Sequence, residues 1–228
     1  TDVWDSNYKM VQHLKDDTAS TTKDSTSNNN HGTKVAANEP IETDGKIGKS
    51  QSFDGNNDYI NCGNNASLNI NGKSFTLEAW AKRLSSSGDS DYIITQGELA
   101  STNKTLHFGF RNSNVFTLAF YHNDLDTKAT YTDTDWHFWV GRYDITTRSR
   151  KIYRDGVEVA TDTATAYTGF ADLIIGARIT VSPLSYFSGL IDDVRISNVA
   201  RSPEWIATEY ANQNDPASFY TIGQEETI

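Results

Sequence analysis

The amino-acid sequence predicts an all-β fold: a two-sheet antiparallel sandwich with one short carboxy-terminal helix. Short strand-like runs, bounded by Gly, Asn, Asp or Ser, follow one another through most of the chain, as in proteins built from strands and polar turns. Aromatic residues form 11% of the sequence and hydrophobic residues 36%, a balance that favours strands over a helical bundle. A length of 228 residues suits one sandwich, and we expect a single domain over residues 1–228.

The predicted strands are densest after residue 50. In chain order they are Met10–Leu14, Ser50–Phe53, Tyr59–Cys62, Phe75–Arg83, Tyr92–Gln96, Leu106–Arg111, Val115–Tyr121, Trp136–Tyr143, Lys151–Arg154, Val157–Ala160, Leu173–Ala177 and Phe187–Ile196. Asp155-Gly156 indicates the clearest hairpin, because this dipeptide supplies the positive φ of a tight primed turn. Residues 15–34 are nearly all polar, but strand-like sequence flanks them on both sides, and we expect a long ordered loop.

One helix is predicted near the carboxy terminus. Ser202 can cap its first turn, Pro203 suits its first position, and Glu204 favours the positive end of the helix dipole. The helix is expected to run to about Gln213, and a final strand is expected over Ala217–Ile222.

The composition limits the partners of the chain. A formal net charge of −10 disfavours nucleic acid and anionic membranes, because both need a basic surface. The same acidity either keeps the chain soluble or supplies oxygen ligands for a hard cation such as Ca²⁺. No run of residues is long and apolar enough for a transmembrane helix. The first residues lack a signal-peptide pattern, and we expect the chain to be one part of a larger protein.

The sequence contains one cysteine, Cys62, which lies in a strand-like run. No nearby pattern would activate its thiol, so we expect a buried free cysteine. The stability of the fold then rests on its core rather than on a disulfide.

Four segments in a fixed order carry a resemblance to a known family. They are the polar loop from Lys23 to Thr33, the run from Gly45 to Ile60, Phe75–Ala81 and Phe187–Ile196. With them, the chain resembles the laminin-G-like, concanavalin A-like jelly-roll domains of bacterial and archaeal surface proteins, over nearly its whole length. The resemblance implies two sheets packed face to face, often with a structural Ca²⁺, that bind sugars or proteins. Some relatives of this architecture are glycoside hydrolases or polysaccharide lyases.

The first candidate site is a metal site around Asp192. Strand alternation places Asp192 on one face with Leu190, Val194 and Ile196, and a carboxylate among apolar neighbours needs a partner. The polar loop offers oxygen ligands, and in similar domains this loop and this Asp commonly meet at Ca²⁺. The predicted calcium ligands are Asp24, Ser27, Asn28, Asn30 and Asp192. The alternative is that Asp192 accepts hydrogen bonds from loop amides without a metal.

The second candidate is a sugar-binding platform. Sugars stack their apolar faces on aromatic rings while polar side chains fix the hydroxyl groups. Glu78 and Trp80 share one face of a strand, and His137, Trp139 and Tyr143 share a face of another. If both faces line the concave sheet, they form an aromatic and charged groove. The alternative is that the tryptophans belong to the core, where Trp is usually found.

The third candidate is the segment from Tyr121 to Asp126, which mixes an aromatic residue with polar ligands. Loops at the ends of sandwiches often carry function, and the alternative is a solvated hairpin turn.

Catalysis is not predicted. A retaining glycosidase needs two carboxylates about 5 Å apart, and sandwich hydrolases of this type carry a Glu-x-Asp-x-x-Glu-like run that this sequence lacks. Glu78 stands alone on its strand face, and Asp192 and Asp193 are adjacent, so they point to opposite faces.

The sequence therefore predicts a non-catalytic carbohydrate-binding, lectin-like module of a secreted or cell-surface protein, with a structural calcium. The first alternative is a structural or adhesive spacer that contacts proteins, which burial of Trp80, Trp139 and Tyr143 under a filled concave face would favour. A polysaccharide lyase or glycoside hydrolase is the second alternative.

Overall fold

The computed structural model describes residues 4–34, 39–84, 89–97, 101–179 and 184–219, which form mainly β-strands. The strands of the first half are β1 Tyr8–Thr18, β2 Thr21–Asp24, β3 Gly32–Lys34, β4 Ile41–Asp44, β5 Lys49–Asp54, β6 Ile60–Asn61, β7 Phe75–Arg83, β8 Asp91–Gly97 and β9 Thr105–Phe110. Those of the second half are β10 Val115–Ala119, β11 Asp124–Thr130, β12 His137–Tyr143, β13 Ser149–Arg154, β14 Val157–Thr163, β15 Leu173–Ile175, β16 Ala177–Arg178, β17 Ser185–Tyr186 and β18 Ser188–Ser197. A 3₁₀ turn spans Ala66–Leu68, and the helices are α1 Pro203–Asn214 and α2 Pro216–Phe219.

Fourteen of the described strands pair in one antiparallel path, β11-β10-β9-β8-β15-β6-β3-β2-β1-β18-β7-β12-β13-β14. β16 pairs separately with β17. The two ends of the path, β11 and β14, contact each other, so the path folds over on itself into a sandwich. We refer to β11, β10, β9, β8, β15, β6 and β3 as the first layer, and to β1, β18, β7, β12, β13 and β14 as the second layer. β2 pairs with both β3 and β1 and joins the two layers. β5 extends the second layer beside β18, and β4 pairs with β5.

The core lies between the two layers and is rich in aromatic rings. Trp139 of β12 stacks on Phe116 of β10, with ring centroids 3.8 Å apart. Phe110 meets the same indole edge-on at 5.4 Å. These contacts connect the two layers directly, and the large area that each ring buries makes them a major source of stability.

Helix α1 covers the outer face of the second layer. Ile206 of α1 packs against Trp80, Phe138 and Tyr153 in a second apolar cluster. Ser202 caps the helix by accepting a hydrogen bond from the backbone N–H of Trp205, as the sequence predicts. The second layer is therefore buried on both of its faces, and the helix is part of the folded unit. Neither described helix is long and apolar enough to cross a membrane.

Most of the predicted elements are confirmed. Each predicted strand from Met10 to Ile196 overlaps an observed strand. Asp155 and Gly156 have φ values of 54° and 79°, as a primed hairpin turn requires. Cys62 is a buried free cysteine, and burial raises the pKa of its thiol.

Two predictions were wrong. The polar stretch 15–34 is not a single loop, because β1 continues to Thr18 and β2 and β3 follow within it. Backbone pairing with β1 and β6 holds these polar strands in place although few of their side chains are apolar. The predicted strand Ala217–Ile222 is helical through Phe219 in α2, because Asp215 and Pro216 favour the start of a helix. Residues 220–222 lie outside the described ranges.

The core position of Trp139 gives a testable prediction. We expect Trp139→Ala to lower the free energy of unfolding by about 3–5 kcal/mol, because the cavity lies between the layers. Trp205→Ala is the control, since Trp205 is 41% exposed, and it should cost about 1 kcal/mol or less. Chemical denaturation of both variants measures the difference, and equal losses would contradict the core assignment.

Candidate functional site

The residues of the predicted sugar-binding platform do not lie together on the protein surface. Register pairs Trp80 with Phe138 and Trp139 with Ala79, so Trp80 and Trp139 lie on opposite faces of the second layer. Trp139 and Tyr143 belong to the core between the layers, whereas Trp80 lies beneath α1. The exposed fractions are 0% for Trp80, 1% for Trp139 and 0% for Tyr143. These rings therefore have no exposed face on which a ligand could stack.

The polar members of the predicted platform are also enclosed or paired. Glu78 is completely buried on the face that α1 covers. His137 is hydrogen-bonded to Asp155 over 2.6 Å and to Asp133 over 2.7 Å. Burial alone would lower the pKa of His137, but the hydrogen bonds and charges of these two carboxylates raise it overall. His137 is therefore part of an ion-pair cluster at the end of the sandwich.

Asp192 lies on the opposite face of β18 from the one that alternation predicts. The register with β7 slips between residues 192 and 195, and Asp193 has a φ of 49°, so a bulge breaks the alternation. Val194 faces the core, whereas Asp192 lies opposite Trp80. Its carboxylate accepts a hydrogen bond of 2.7 Å from the backbone N–H of Ile47. Burial raises the pKa of the Asp192 carboxyl to about 7.

Asp24 organises the loop between β2 and β3. Its carboxylate accepts hydrogen bonds from the backbone N–H groups of Val11, Thr26 and Asn30, at 2.9, 3.0 and 2.8 Å, and from the Thr26 hydroxyl at 2.8 Å. A carboxylate has about four lone-pair sites, and these donors use them. The Asn30 side chain in turn donates to the Lys9 carbonyl over 2.6 Å. The loop is therefore fixed to β1 by hydrogen bonds.

The described residues do not fit the predicted calcium ion. Strand β1 separates Asp24 on β2 from Asp192 on β18, and two strand spacings amount to about 10 Å. Ligands of one Ca²⁺ lie about 2.3–2.6 Å from the ion, whereas backbone N–H groups of β1 and the loop hold the Asp24 carboxylate and that of Ile47 holds Asp192. The side-chain amide of Asn28 donates to the Tyr8 carbonyl at 3.2 Å. In the described ranges, no three His, Cys, Asp or Glu side chains form a group that could hold a metal.

The third candidate forms the turn between β10 and β11. Tyr121 and His122 have φ values of 60° and 56°, and their rings stack with centroids 4.4 Å apart. Arg111 forms ion pairs with Asp124 at 2.9 Å and Asp126 at 2.7 Å. One arginine thus pairs with both carboxylates of the turn, which is the arrangement of a structural turn.

An open aromatic surface lies instead around Trp4, where two clefts meet. The loop cleft has a volume of about 430 Å³, and the helix cleft has a volume of about 330 Å³. The loop cleft is lined by residues that include Trp4, Lys9, Ser25, Thr26, Ser27 and Asn28. The helix cleft is lined by residues that include Trp4, Arg195, Trp205, Glu209, Asn212 and Phe219. Ser27 and Asn28, two of the predicted calcium ligands, therefore lie at this surface.

Two arginines hold the tryptophans of this surface in place. The guanidinium of Arg195 lies 4.9 Å from the ring centroid of Trp4, and that of Arg201 lies 4.4 Å from the ring of Trp205. Trp205 and Phe219 remain 41% and 42% exposed. Cation–π contacts fix ring orientation while leaving the opposite ring face free for a ligand.

The floor of the helix cleft is a polar network. Glu209 of α1 accepts a hydrogen bond of 2.5 Å from the Tyr8 hydroxyl and one of 3.0 Å from the Arg195 guanidinium. Arg195 also forms an ion pair with Asp193. Glu78 lies within hydrogen-bond reach of Glu209. The Arg195 guanidinium at the cleft floor is therefore already paired with carboxylates of the protein.

Sequence reasoning did not find this surface. Trp4 and Trp205 are about two hundred positions apart and belong to no common motif. The signal in the sequence was the pair Trp205-Ile206 in the predicted helix, because only one of two adjacent apolar residues can face the sheet. The helix α1 buries Ile206 and leaves Trp205 exposed. The position of Trp4 next to α1 follows only from the pairing of β1 with β18.

The amino-acid sequence of the chain matches the model of one protein family. Residues 54–207 match the laminin-G-like model described as the concanavalin A-like lectin/glucanases superfamily, and the chain belongs to this family. No curated protein sequence matches the chain.

Several solved structures share the fold. Domain 4 of AbnA, an extracellular arabinanase from Geobacillus stearothermophilus in complex with arabinotriose, is 18% identical with a TM-score of 0.69, over 90% of this chain and 98% of that one. Trypanosoma rangeli sialidase in complex with sialic acid is 13% identical with a TM-score of 0.70, over 93% and 34%. The binding domain of botulinum neurotoxin DC in complex with rat synaptotagmin II is 15% identical with a TM-score of 0.63, over 91% and 52%. The chain thus spans about a third of the sialidase and half of the toxin domain.

The hydrogen bonds of the Asp24 loop give a second prediction. We expect the same melting temperature in EDTA and in millimolar Ca²⁺, because the loop oxygens already have donors. Asp192→Ala should respond to calcium no differently from the parent chain. A calcium site at these residues would instead raise the melting temperature by roughly 5–10 °C at a hundredfold excess over Kd. A rise of that size that Asp192→Ala abolishes would contradict this assignment.

Proposed function

We propose that the chain is a non-catalytic carbohydrate-binding module of a secreted or cell-surface protein, and that a glycan binds along the loop cleft and the helix cleft. The observation that carries the proposal is the meeting of the two clefts at Trp4. Together they form a binding surface with exposed aromatic rings at one end and fixed polar groups at the other.

The two clefts have complementary roles in this proposal. Trp4, Trp205 and Phe219 offer ring faces on which the apolar faces of sugars can stack. Ser27 and Asn28 of the loop cleft offer a hydroxyl and an amide for hydrogen bonds to sugar hydroxyls. The hydrogen bonds around Asp24 hold this polar wall in advance of binding, which reduces the entropy lost when a ligand binds.

Charge favours an uncharged glycan. The chain has a net charge of −10, and Arg195 at the floor of the helix cleft is already paired with Asp193 and Glu209. An anionic sugar would gain no free arginine there and would meet the negative field of the protein. The arabinotriose of the AbnA complex is a sugar of the favoured kind, and that domain matches over 98% of its length.

The carboxyl groups near the clefts favour binding over catalysis. Glu78 and Glu209 lie within hydrogen-bond reach of each other, whereas a retaining glycosidase needs a separation of about 5 Å and an inverting one more. Glu78 is also completely buried, so it cannot contact a glycosidic bond in a cleft.

A structural or adhesive role in contact with proteins is the second candidate, favoured by a specific observation. The outer face of the first layer is filled, because Tyr92, His107 and Thr117 are buried there, and Arg178 of β16 lies over the Tyr92 ring at 5.3 Å. These buried side chains leave no exposed ring at these positions on which a sugar could stack. The proposed glycan surface therefore excludes this part of the first layer.

The proposal predicts that the exposed tryptophans carry binding. We expect Trp4→Ala and Trp205→Ala each to weaken glycan affinity by about 0.5–1.5 kcal/mol, the value of one aromatic contact, or roughly two- to tenfold in Kd. A glycan array that includes arabino-oligosaccharides identifies the ligand, and titration calorimetry with that ligand measures the affinities.

Tyr121→Ala is the matched control, because it removes an aromatic ring from the turn between β10 and β11. It should leave Kd unchanged. Loss of binding in Tyr121→Ala alone would move the site to that turn. No binding of the parent chain to any glycan would favour the structural role.

A further inference from the structure

A pair of acidic side chains is buried without a donor beneath α1. Glu78 of β7 is 0% exposed, and neither of its carboxyl oxygens has a hydrogen-bond donor among the described residues. One carboxyl oxygen of Glu209 is likewise buried without a donor. The two carboxyl groups lie within hydrogen-bond reach of each other. A proton is the group that could satisfy this contact, since two carboxylates both accept and neither donates.

The surrounding charges also favour a proton on this pair. Arg195 of β18 pairs with Glu209 and with Asp193, and Arg201, which follows β18, pairs with Asp5. These two arginines thus face four carboxyl groups, which are those of Asp5, Glu78, Asp193 and Glu209. His13 of β1 pairs with Asp193 on the far side, and Tyr8 of β1 contributes a neutral hydroxyl.

We propose that Glu78 and Glu209 share one proton, and that this proton fastens helix α1 to the second layer. Like-charged carboxylates at hydrogen-bond distance cannot both ionise without strong repulsion in a buried site. Loss of the proton leaves two negative charges between β7 and α1. The helix is the element that can move away, because local release of a surface helix costs less than global unfolding.

The direction of the pH effect follows from linkage. Burial, the Glu209 charge and the shared hydrogen bond raise the pKa of Glu78 well above its ordinary value of 4.5, against the opposing charge of Arg195. The folded state therefore binds a proton that the unfolded chain has lost above that pH. Stability falls as the pH rises from 4.5 towards the folded-state pKa, and the unfolding equilibrium constant rises by up to tenfold per pH unit.

Release of α1 would also open the helix cleft, because Trp205, Glu209 and Asn212 all lie on α1. On the basis of the proposed function, glycan affinity should therefore fall as the pH rises. The binding surface would be complete below the folded-state pKa of this pair and incomplete above it.

The experiment compares the parent chain with Glu78→Gln and with Glu158→Gln from pH 5 to 9. A glutamine at position 78 donates to Glu209 without titrating, so we expect a flatter dependence of the unfolding equilibrium on pH. Hydrogen exchange in residues 203–214 should accelerate at pH 9 in the parent chain relative to Glu78→Gln at the same pH. Glu158→Gln, on the edge strand β14, should behave as the parent chain does. Parallel pH profiles of the parent chain and Glu78→Gln would overturn the proposal.

Glu209→Gln provides the same test from the other side if Glu78→Gln does not fold. Titration of the glycan at pH 5 and pH 9 separates this proposal from the proposed function. A released α1 at pH 9 with no glycan binding at pH 5 would support the shared proton and contradict the glycan site. Equal glycan affinity at both pH values, with α1 exchanging equally fast in the parent chain and in Glu78→Gln at pH 9, would overturn the shared proton and leave the glycan site standing.

Discussion

Burial of the central strand β7 on both faces is the constraint on which the rest of the structure depends. Its inward side chains complete the aromatic core against the first layer, and its outward side chains require a cover. Helix α1 supplies that cover and brings Trp205 and Glu209 to the neighbourhood of Trp4. The open surface of the protein is thus a consequence of how the second layer is enclosed. A polar residue, Glu78, lies in the middle of this apolar arrangement, and we propose that its protonation state affects how α1 packs.

The fold was predictable from the sequence, but the sequence did not show which face of each strand points to the core. Short runs bounded by turn residues identify strands reliably, and Asp155-Gly156 located a hairpin because its backbone requirement is local. Alternation assigns side chains to two faces but does not say which face is inside, and in β7 and β12 both faces are hydrophobic. Trp80 and Trp139 were therefore placed on one surface although register puts them on opposite ones. At Asp192 a bulge reversed the expected face, and bulges leave little trace in sequence.

The polar loop after β2 shows that the same residue types occur in calcium-binding loops and in loops closed by hydrogen bonds. Carboxylate, hydroxyl and amide groups close together in sequence are typical of calcium sites and equally of loops closed by side-chain hydrogen bonds. The sequence contains the same oxygens in both cases, and only the positions of backbone N–H groups distinguish them. Here Asp24 accepts from three such groups, so the loop holds itself together. The clefts around Trp4 were beyond prediction because they join residues from the two ends of the described chain.

The meeting of β11 and β14 affects how the protein behaves among copies of itself. An unpaired edge strand is a template on which another chain can add by backbone pairing, and long apolar edges promote aggregation. In this sandwich the two terminal strands of the path lie side by side, and Asp126, Lys128 and Glu158 line the groove between them. Charged side chains at that seam disfavour the approach of a further strand. A protein whose regular structure is mainly strands can in this way remain dispersed at high local concentration.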